Sequence, residues 1–297
     1  MKANINTLKG SLYLILAACC YGMLGTFVKL AYRDGYNTAE VTISQFFLGF
    51  LTLLIINVIS RKSSSVERRT ANGVRSYLKL IISGTSLGLT SIFYYMSVQY
   101  IPVSICIVLL VQAVWMSLVA EMIQKQKKPQ FYEIITVVII IFGTTIATDV
   151  WNHYNQINWK GAGWGILGAL SYTATIYSSN NIELDLLPIK RSFLMVSGGF
   201  IIVLIVFGSS LLKGFSFGIF LSWGILISVF GTILPPILFT KGMPLTGMGL
   251  GAILTSLEIP VAVLFAHFLL DEQVAMKQWL GVCLILIAVI QKNAKML

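Results

Sequence analysis

Apolar residues run along this chain in blocks of about twenty, separated by short polar connectors. A helix rises 1.5 Å per residue, so about 20 such residues cross the hydrocarbon core of a bilayer. A transmembrane barrel would need short alternating segments, which are absent. Taken in order, the blocks predict spans at about 11–31, 39–59, 77–98, 103–123, 131–150, 161–181, 192–212, 221–240, 246–270 and 277–290. The expected fold class is an all-α membrane protein of about ten transmembrane helices.

Composition agrees with the pattern. The chain is 57% hydrophobic and 11% charged, where a soluble domain carries about 25% charged residues. Its net charge of +10 would suggest nucleic acid in a soluble protein. Here the basic residues sit in the connectors, as topology signals do. With the N-terminus in the cytosol, most of the 21 Lys and Arg fall on the inside. Arg33, Lys160, Lys213 and Lys277 fall outside, and Lys29 lies within the first span. This predicts a multi-pass protein of the cell (plasma or inner) membrane, with both termini cytoplasmic and an even number of spans. The lipid bilayer is therefore an expected partner and nucleic acid is not. The opening MKANINTLKGSLYLILAACC is read as a retained span, because its apolar run continues through Leu30 without a cleavage site. Cys19, Cys20, Cys106 and Cys283 all lie inside apolar runs, so neither a disulfide framework nor a zinc site is implied.

The second half of the chain echoes the first. Residues 109–123, LLVQAVWMSLVAEMI, align without gaps on 255–269, TSLEIPVAVLFAHFL, which places Gln112 on Glu258. LAACCYG (16–22) echoes LGALSYT (167–173), which places Tyr21 on Tyr172. Five spans per half is an odd number, so the halves should lie inverted, a common plan of secondary transporters with the site near the midplane. The expected units are residues 1–150 and 151–297.

At this point the chain resembles a known family. LTSLEIPVAVLFAHFLLDEQVAMKQWLGVCLILIAVI is similar to the ninth and tenth helices of the EamA-type transporters, within the ten-helix drug/metabolite transporter superfamily. YGMLGTFVKLA resembles their first-helix motif, with Tyr21 where Trp is common and with the usual Lys at Lys29. Two features depart from it: Ile259 separates Glu258 from Pro260, and Gln45 stands where the second helix usually carries Arg. The resemblance covers the whole chain. It implies two five-helix repeats around a central cavity and transport, often export, of small metabolites, with amino acids the leading substrates.

One residue stands out chemically. Glu258 lies halfway along the ninth span, and an ionisable group at that depth marks a functional site by default. Burial disfavours the charged form of a carboxylate, so Glu258 could exchange a proton or attract a cation. Alternatively it supports its helix, because Pro260 lacks an N–H and frees a carbonyl near Ser256. Gln112, its counterpart, could bond substrate or Glu258, or join helices. Lys29 either snorkels to the interface or faces the cavity. Tyr21, Tyr94, Tyr95, Trp115 and Tyr172 lie within spans and could floor a pocket or simply pack. Pro235 and Pro236 in the eighth span, with Pro260, are candidate hinges or static kinks. His267 is nine positions beyond Glu258, half a turn out of phase, so the two form no relay on one straight helix. Glycines four apart at Gly84–Gly88, Gly161–Gly165 and Gly247–Gly251 predict close helix crossings, within one chain or in a dimer.

No phosphate-binding loop, zinc-protease motif or supported Ser–His pair occurs. No enzyme activity, cofactor, metal site or catalytic residue is expected. The leading expectation is a secondary transporter of small-molecule substrates, an exporter, working by alternating access as a monomer or homodimer and coupled to protons through Glu258. The alternatives are proton-coupled efflux of lipophilic cations and drugs, and a non-transporting membrane assembly or sensor protein.

Overall fold

The structure, a computed structural model, describes residues 5–63, 73–101, 103–126, 130–147, 158–212, 214–271 and 274–294. The basic loop after the second span, Pro102, Lys127, Lys128, Lys213, Glu272, most of the WNHYNQINWK connector and both chain ends lie outside the described residues.

The described chain is helical. In order it forms α1 (Ile5–Arg33), α2 (Thr38–Ser63), α3 (Gly73–Val98), α4 (Val103–Val111), α5 (Ala113–Lys125), α6 (Phe131–Ala147), α7 (Trp159–Asn181) and α8 (Pro188–Phe207). There follow α9 (Trp223–Ser228), α10 (Leu234–Thr246), α11 (Met248–Thr255), α12 (Glu258–Leu270) and α13 (Met276–Ala294). Among the described residues, seven helical stretches are long and apolar enough to cross a membrane. Helices α6 and α13 are apolar but shorter, and α7, at 23 residues, carries the polar run SYTATIYSSNN. The protein is thus an all-α, multi-pass membrane protein.

Local chemistry sets the helix starts. Asn37 and Glu40 form a reciprocal capping box at α2: Glu40 N donates to Asn37 Oδ1 at 3.0 Å, and Asn37 N donates to Glu40 Oε2 at 2.8 Å. Asn158 accepts from Lys160 N at 2.9 Å and caps α7. Pro188 opens α8, where its missing N–H costs nothing.

Three apolar stretches are interrupted midway. Gln112 alone separates α4 from α5, and Ser256–Leu257 separate α11 from α12. A π-helical turn, Val229–Ile233, joins α9 to α10, and Pro235 and Pro236 stand directly after it at the start of α10. Prolines bring no backbone donor to a helix, and π turns absorb the register change such gaps cause.

The glycine spacings are used within the chain. Helices α3 and α8 cross so closely that a Cβ on Gly84 would strike the Met195 backbone and one on Gly198 would strike Ile81 O. Helix α1 packs on α10 and α12, and α6 packs on α13.

Side-chain contacts sort the connectors into two ends. At the end carrying the α1–α2 turn, Trp223 Nε1 donates to Asp34 Oδ2 at 2.7 Å, Ser216 N donates to Glu40 Oε1 at 2.7 Å, and Gln278 Nε2 donates to Ala147 O at 3.1 Å. At the opposite end, called the base here, Lys79 pairs with Glu183 at 3.3 Å and Gln124 Nε2 donates to Asn181 Oδ1 at 2.7 Å.

Candidate functional site

A cavity of about 160 Å³ opens in the centre of the bundle. Glu258, at the first turn of α12, lines it and is only 8% exposed. Among the described residues no hydrogen bond or ion pair engages its carboxylate. The break before it does not need it. Ser256 O, which Pro260 cannot reach as a donor, accepts from Ile259 N at 3.1 Å, and Val261 N reaches Leu257 O at 3.4 Å. The backbone therefore closes its own gap, and the side chain is left to face the cavity.

Aromatic hydroxyls surround the carboxylate. Tyr21 of α1, Tyr94 and Tyr95 of α3 and Tyr172 of α7 all line the cavity. The Tyr21 and Tyr172 rings meet edge to face, with centroids 6.2 Å apart, and Phe239 packs against Tyr21 at 5.7 Å. The Tyr172 hydroxyl is buried and, among the described residues, meets no hydrogen-bond partner within bonding geometry. Tyr95 Oη donates to Gln45 Oε1 at 2.8 Å, so Gln45, where the resemblance led us to expect Arg, fixes this ring.

Lys29 lines the same cavity from α1. It stands seven residues beyond Gly22, which is two turns up one face and roughly 10 Å toward the α1–α2 end. The remaining lining residues drift the same way. Leu270, Val274, Gln278 and Ala147 belong to the α1–α2 end, and no lining residue comes from the base. The cavity runs from Glu258 at its floor to a mouth at that end. Toward the base the space is filled by Leu14, Leu118, Met243, Met248, Leu250 and Leu254, all buried.

Of the residues singled out from the sequence, Glu258, Lys29, Tyr21, Tyr94, Tyr95 and Tyr172 come together here. Gln112 and Trp115 do not line the cavity. Gln112 Nε2 donates to Val108 O at 3.0 Å and its Oε1 accepts from Trp115 Nε1 at 2.8 Å, and Trp115 is 39% exposed on the outer surface. Pro260 lies in the first turn of α12, and Pro235 and Pro236 follow the π turn, from which Gly231 reaches the cavity wall.

Sequence reasoning missed Thr26, Thr90, Ser91 and Gln278, all cavity residues. Thr90 and Ser91 precede Tyr94 and Tyr95 by one helical turn, the spacing that places them on the same face. That periodicity was the available signal.

One family model, the EamA-like transporter family, matches this chain twice, over residues 8–148 and 159–291. The chain belongs to the EamA-like transporter family. The match falls on both halves, so each half is an EamA-like stretch in its own right. A solved crystal structure is similar in fold, with TM-score 0.72 over 97% of this chain and 97% of that one at 12% identity. No curated protein matches significantly. Membership in the family makes this a membrane transporter of small molecules and not an enzyme. Among the described residues, no group of three or more His, Cys, Asp or Glu is placed to hold a metal ion.

Proposed function

We propose that the protein is a secondary active exporter that moves small amine-bearing metabolites, amino acids foremost, across the cell membrane by alternating access. In this reading all ten apolar helical stretches cross the bilayer, the two EamA-like halves lie inverted, and both termini are cytoplasmic. Residues 1–150 and 151–297 are the two units. The cavity is built within one chain, so a monomer suffices for transport.

The observation that carries the reading is Glu258, a buried carboxylate with no partner among the described residues, at the floor of a cavity open to one end. A buried charge without a counter-charge is costly. The site therefore holds either a proton or the cationic group of a ligand. Exchange of one for the other couples cargo to the proton gradient. The Tyr21, Tyr94 and Tyr172 rings offer faces to the cation, and their hydroxyls, with Thr90 and Ser91, offer hydrogen bonds to the polar remainder. Lys29, near the mouth, contributes positive charge along the path of an anionic group. The breaks at Gln112, at Ser256–Leu257 and at the π turn are the hinges.

A second reading is favoured by the walls. Leu24, Leu87, Ile107, Leu110, Val263 and Leu270 make most of the lining apolar, which suits a lipophilic cation. Flux measurements in proteoliposomes with an imposed pH gradient separate the two, using a panel of amino acids and lipophilic cations with wild type beside Glu258→Gln. Gradient-driven flux of amino acids that vanishes in a folded Glu258→Gln supports the proposal. Flux of lipophilic cations alone supports the second reading. Flux of neither, from a folded protein, favours a non-transporting role in assembly or sensing.

A further inference from the structure

At the base of the bundle, beside the Lys79–Glu183 and Gln124–Asn181 contacts, one further polar contact lies outside the cavity and ties the two broken stretches directly. Glu121, one turn before the end of α5, reaches across to the first turn of α11. Its Oε2 accepts from Gly249 N at 2.5 Å, and its Oε1 accepts from Lys125 Nζ at 2.5 Å. Each carboxylate oxygen thus has a partner. The contact joins the first half of the chain to the second.

Three features suit this contact to hold the base closed. Gly249 N–H is one of the orphan donors at a helix start, and a carboxylate there also complements the helix dipole. The bond is charge-assisted, so it is stronger than a neutral one. Glycine suits the contact, because a Cβ on residue 249 would displace Glu121 Oε2 from this position and press on Leu118 Cδ1. The chain turns into α11 at Gly247, whose φ of +81° is in the region glycine favours.

The position matters as much as the chemistry. Gly249 lies nine residues before Glu258, about 13 Å toward the base along the helix rise. Between them Leu118, Leu250 and Leu254 fill the path. Helices α5 and α11 are the base-side pieces of the two broken stretches, hinged at Gln112 and at Ser256–Leu257. Opening the base requires these two pieces to part, and parting them breaks the Glu121–Gly249 bond.

We infer that Glu121 is the latch of the closed base: its grip on the α11 N-terminus holds the transporter in the state open at the α1–α2 end. This rests on the alternating-access reading above. Losing one charge-assisted hydrogen bond shifts a two-state equilibrium by about tenfold. Lys125, half exposed, positions the carboxylate and contributes less.

The test reads accessibility, not transport. Cys19, Cys20, Cys106 and Cys283 are replaced by Ser, and a reporter cysteine is introduced either at the seam (Leu118→Cys) or in the cavity (Ser91→Cys). A membrane-impermeant maleimide is applied to vesicles of both orientations. Glu121→Gln, and independently Gly249→Ala, should raise the labelling rate of the seam reporter from the base side about tenfold and lower that of the cavity reporter from the mouth side. An unchanged seam rate in both variants overturns the latch. So does a rise at both reporters together, which would mean general loosening. Failure of the latch leaves the flux result for Glu258→Gln untouched, so the two claims fall separately.

Discussion

Gln112 and Glu258 stand at matching points of two broken helices. Gln112 is the single residue between α4 and α5, and Glu258 opens α12 directly after the turn at Ser256–Leu257. The ungapped alignment of residues 109–123 on 255–269 pairs these two positions. The two side chains have opposite surroundings. The Gln112 amide is spent on the two helices it joins, on Val108 O of α4 and Trp115 Nε1 of α5, while the Glu258 carboxylate has no partner among the described residues and faces the cavity. One break is stabilised by its polar residue, and the other leaves its polar residue available for chemistry.

Substitutions at the two positions should therefore separate stability from function. Gln112→Ala removes two hydrogen bonds and should cost about 1–2 kcal/mol with substrate flux retained. Glu258→Gln should keep the unfolding midpoint near wild type and abolish coupled flux. Thermal unfolding in detergent, run beside proteoliposome flux, checks both.

Arg191 predicts the largest stability loss. It is 1% exposed, and its guanidinium donates to Ile182 O at 3.1 Å, Thr240 O at 3.0 Å and Ser179 O at 2.7 Å. It ties the end of α7 to α8 and α10 at the base. Lysine cannot reproduce this fork. Arg191→Lys should lower stability by roughly 3 kcal/mol, since hydrogen bonds from a charged donor each contribute about 1.5–3 kcal/mol. The loss of folded, monodisperse protein on size-exclusion chromatography would show it.

The exposed pair nearby should do almost nothing. Lys79 and Glu183 approach to 3.3 Å, but the lysine is 57% exposed. Surface pairs contribute about 0–1 kcal/mol, so Lys79→Ala should leave the unfolding midpoint within about 0.5 kcal/mol of wild type by the same measure.

The α3–α8 crossing should tolerate no side-chain growth. Gly198→Ala places a methyl against Ile81 O, which belongs to backbone and cannot rotate away. The helices must separate, and overpacking of this kind costs about 1–3 kcal/mol. Gly163→Ala, at a glycine with open space around it, is the matched control. Comparing the two in a thermal-shift series decides the point.

Much of this architecture was legible in the sequence because the bilayer imposes it. Blocks of apolar residues announce helices, and a lone carboxylate such as Glu258 stands out against them. The tyrosines at 21, 94 and 172 were found because aromatic hydroxyls are conspicuous away from the interfaces. What stayed hidden was decided by pairing across the fold. Glu121, Arg191 and Glu40 sit near helix ends, where a charge looks like a topology signal or a solvated cap. Only the structure shows Glu121 on the α11 N-terminus, Arg191 on carbonyls at the end of α7 and in α10, and Glu40 reaching Ser216 N from α2. Gln112 and Trp115 were singled out by position in the repeat, but periodicity could not reveal that they bond each other on the outer face. The break before Glu258 was half visible: Pro260 announced a missing donor, and the structure shows Ile259 N filling in for it.

The central claim is that Glu258 exchanges a proton for cargo. A pH-sensitive dye sealed inside proteoliposomes, with substrate added outside and no imposed gradient, reads this directly. Substrate entry through the wild-type protein should change the internal pH, and Glu258→Gln should leave it flat while the protein remains folded. A pH change of equal size in the variant would contradict the account.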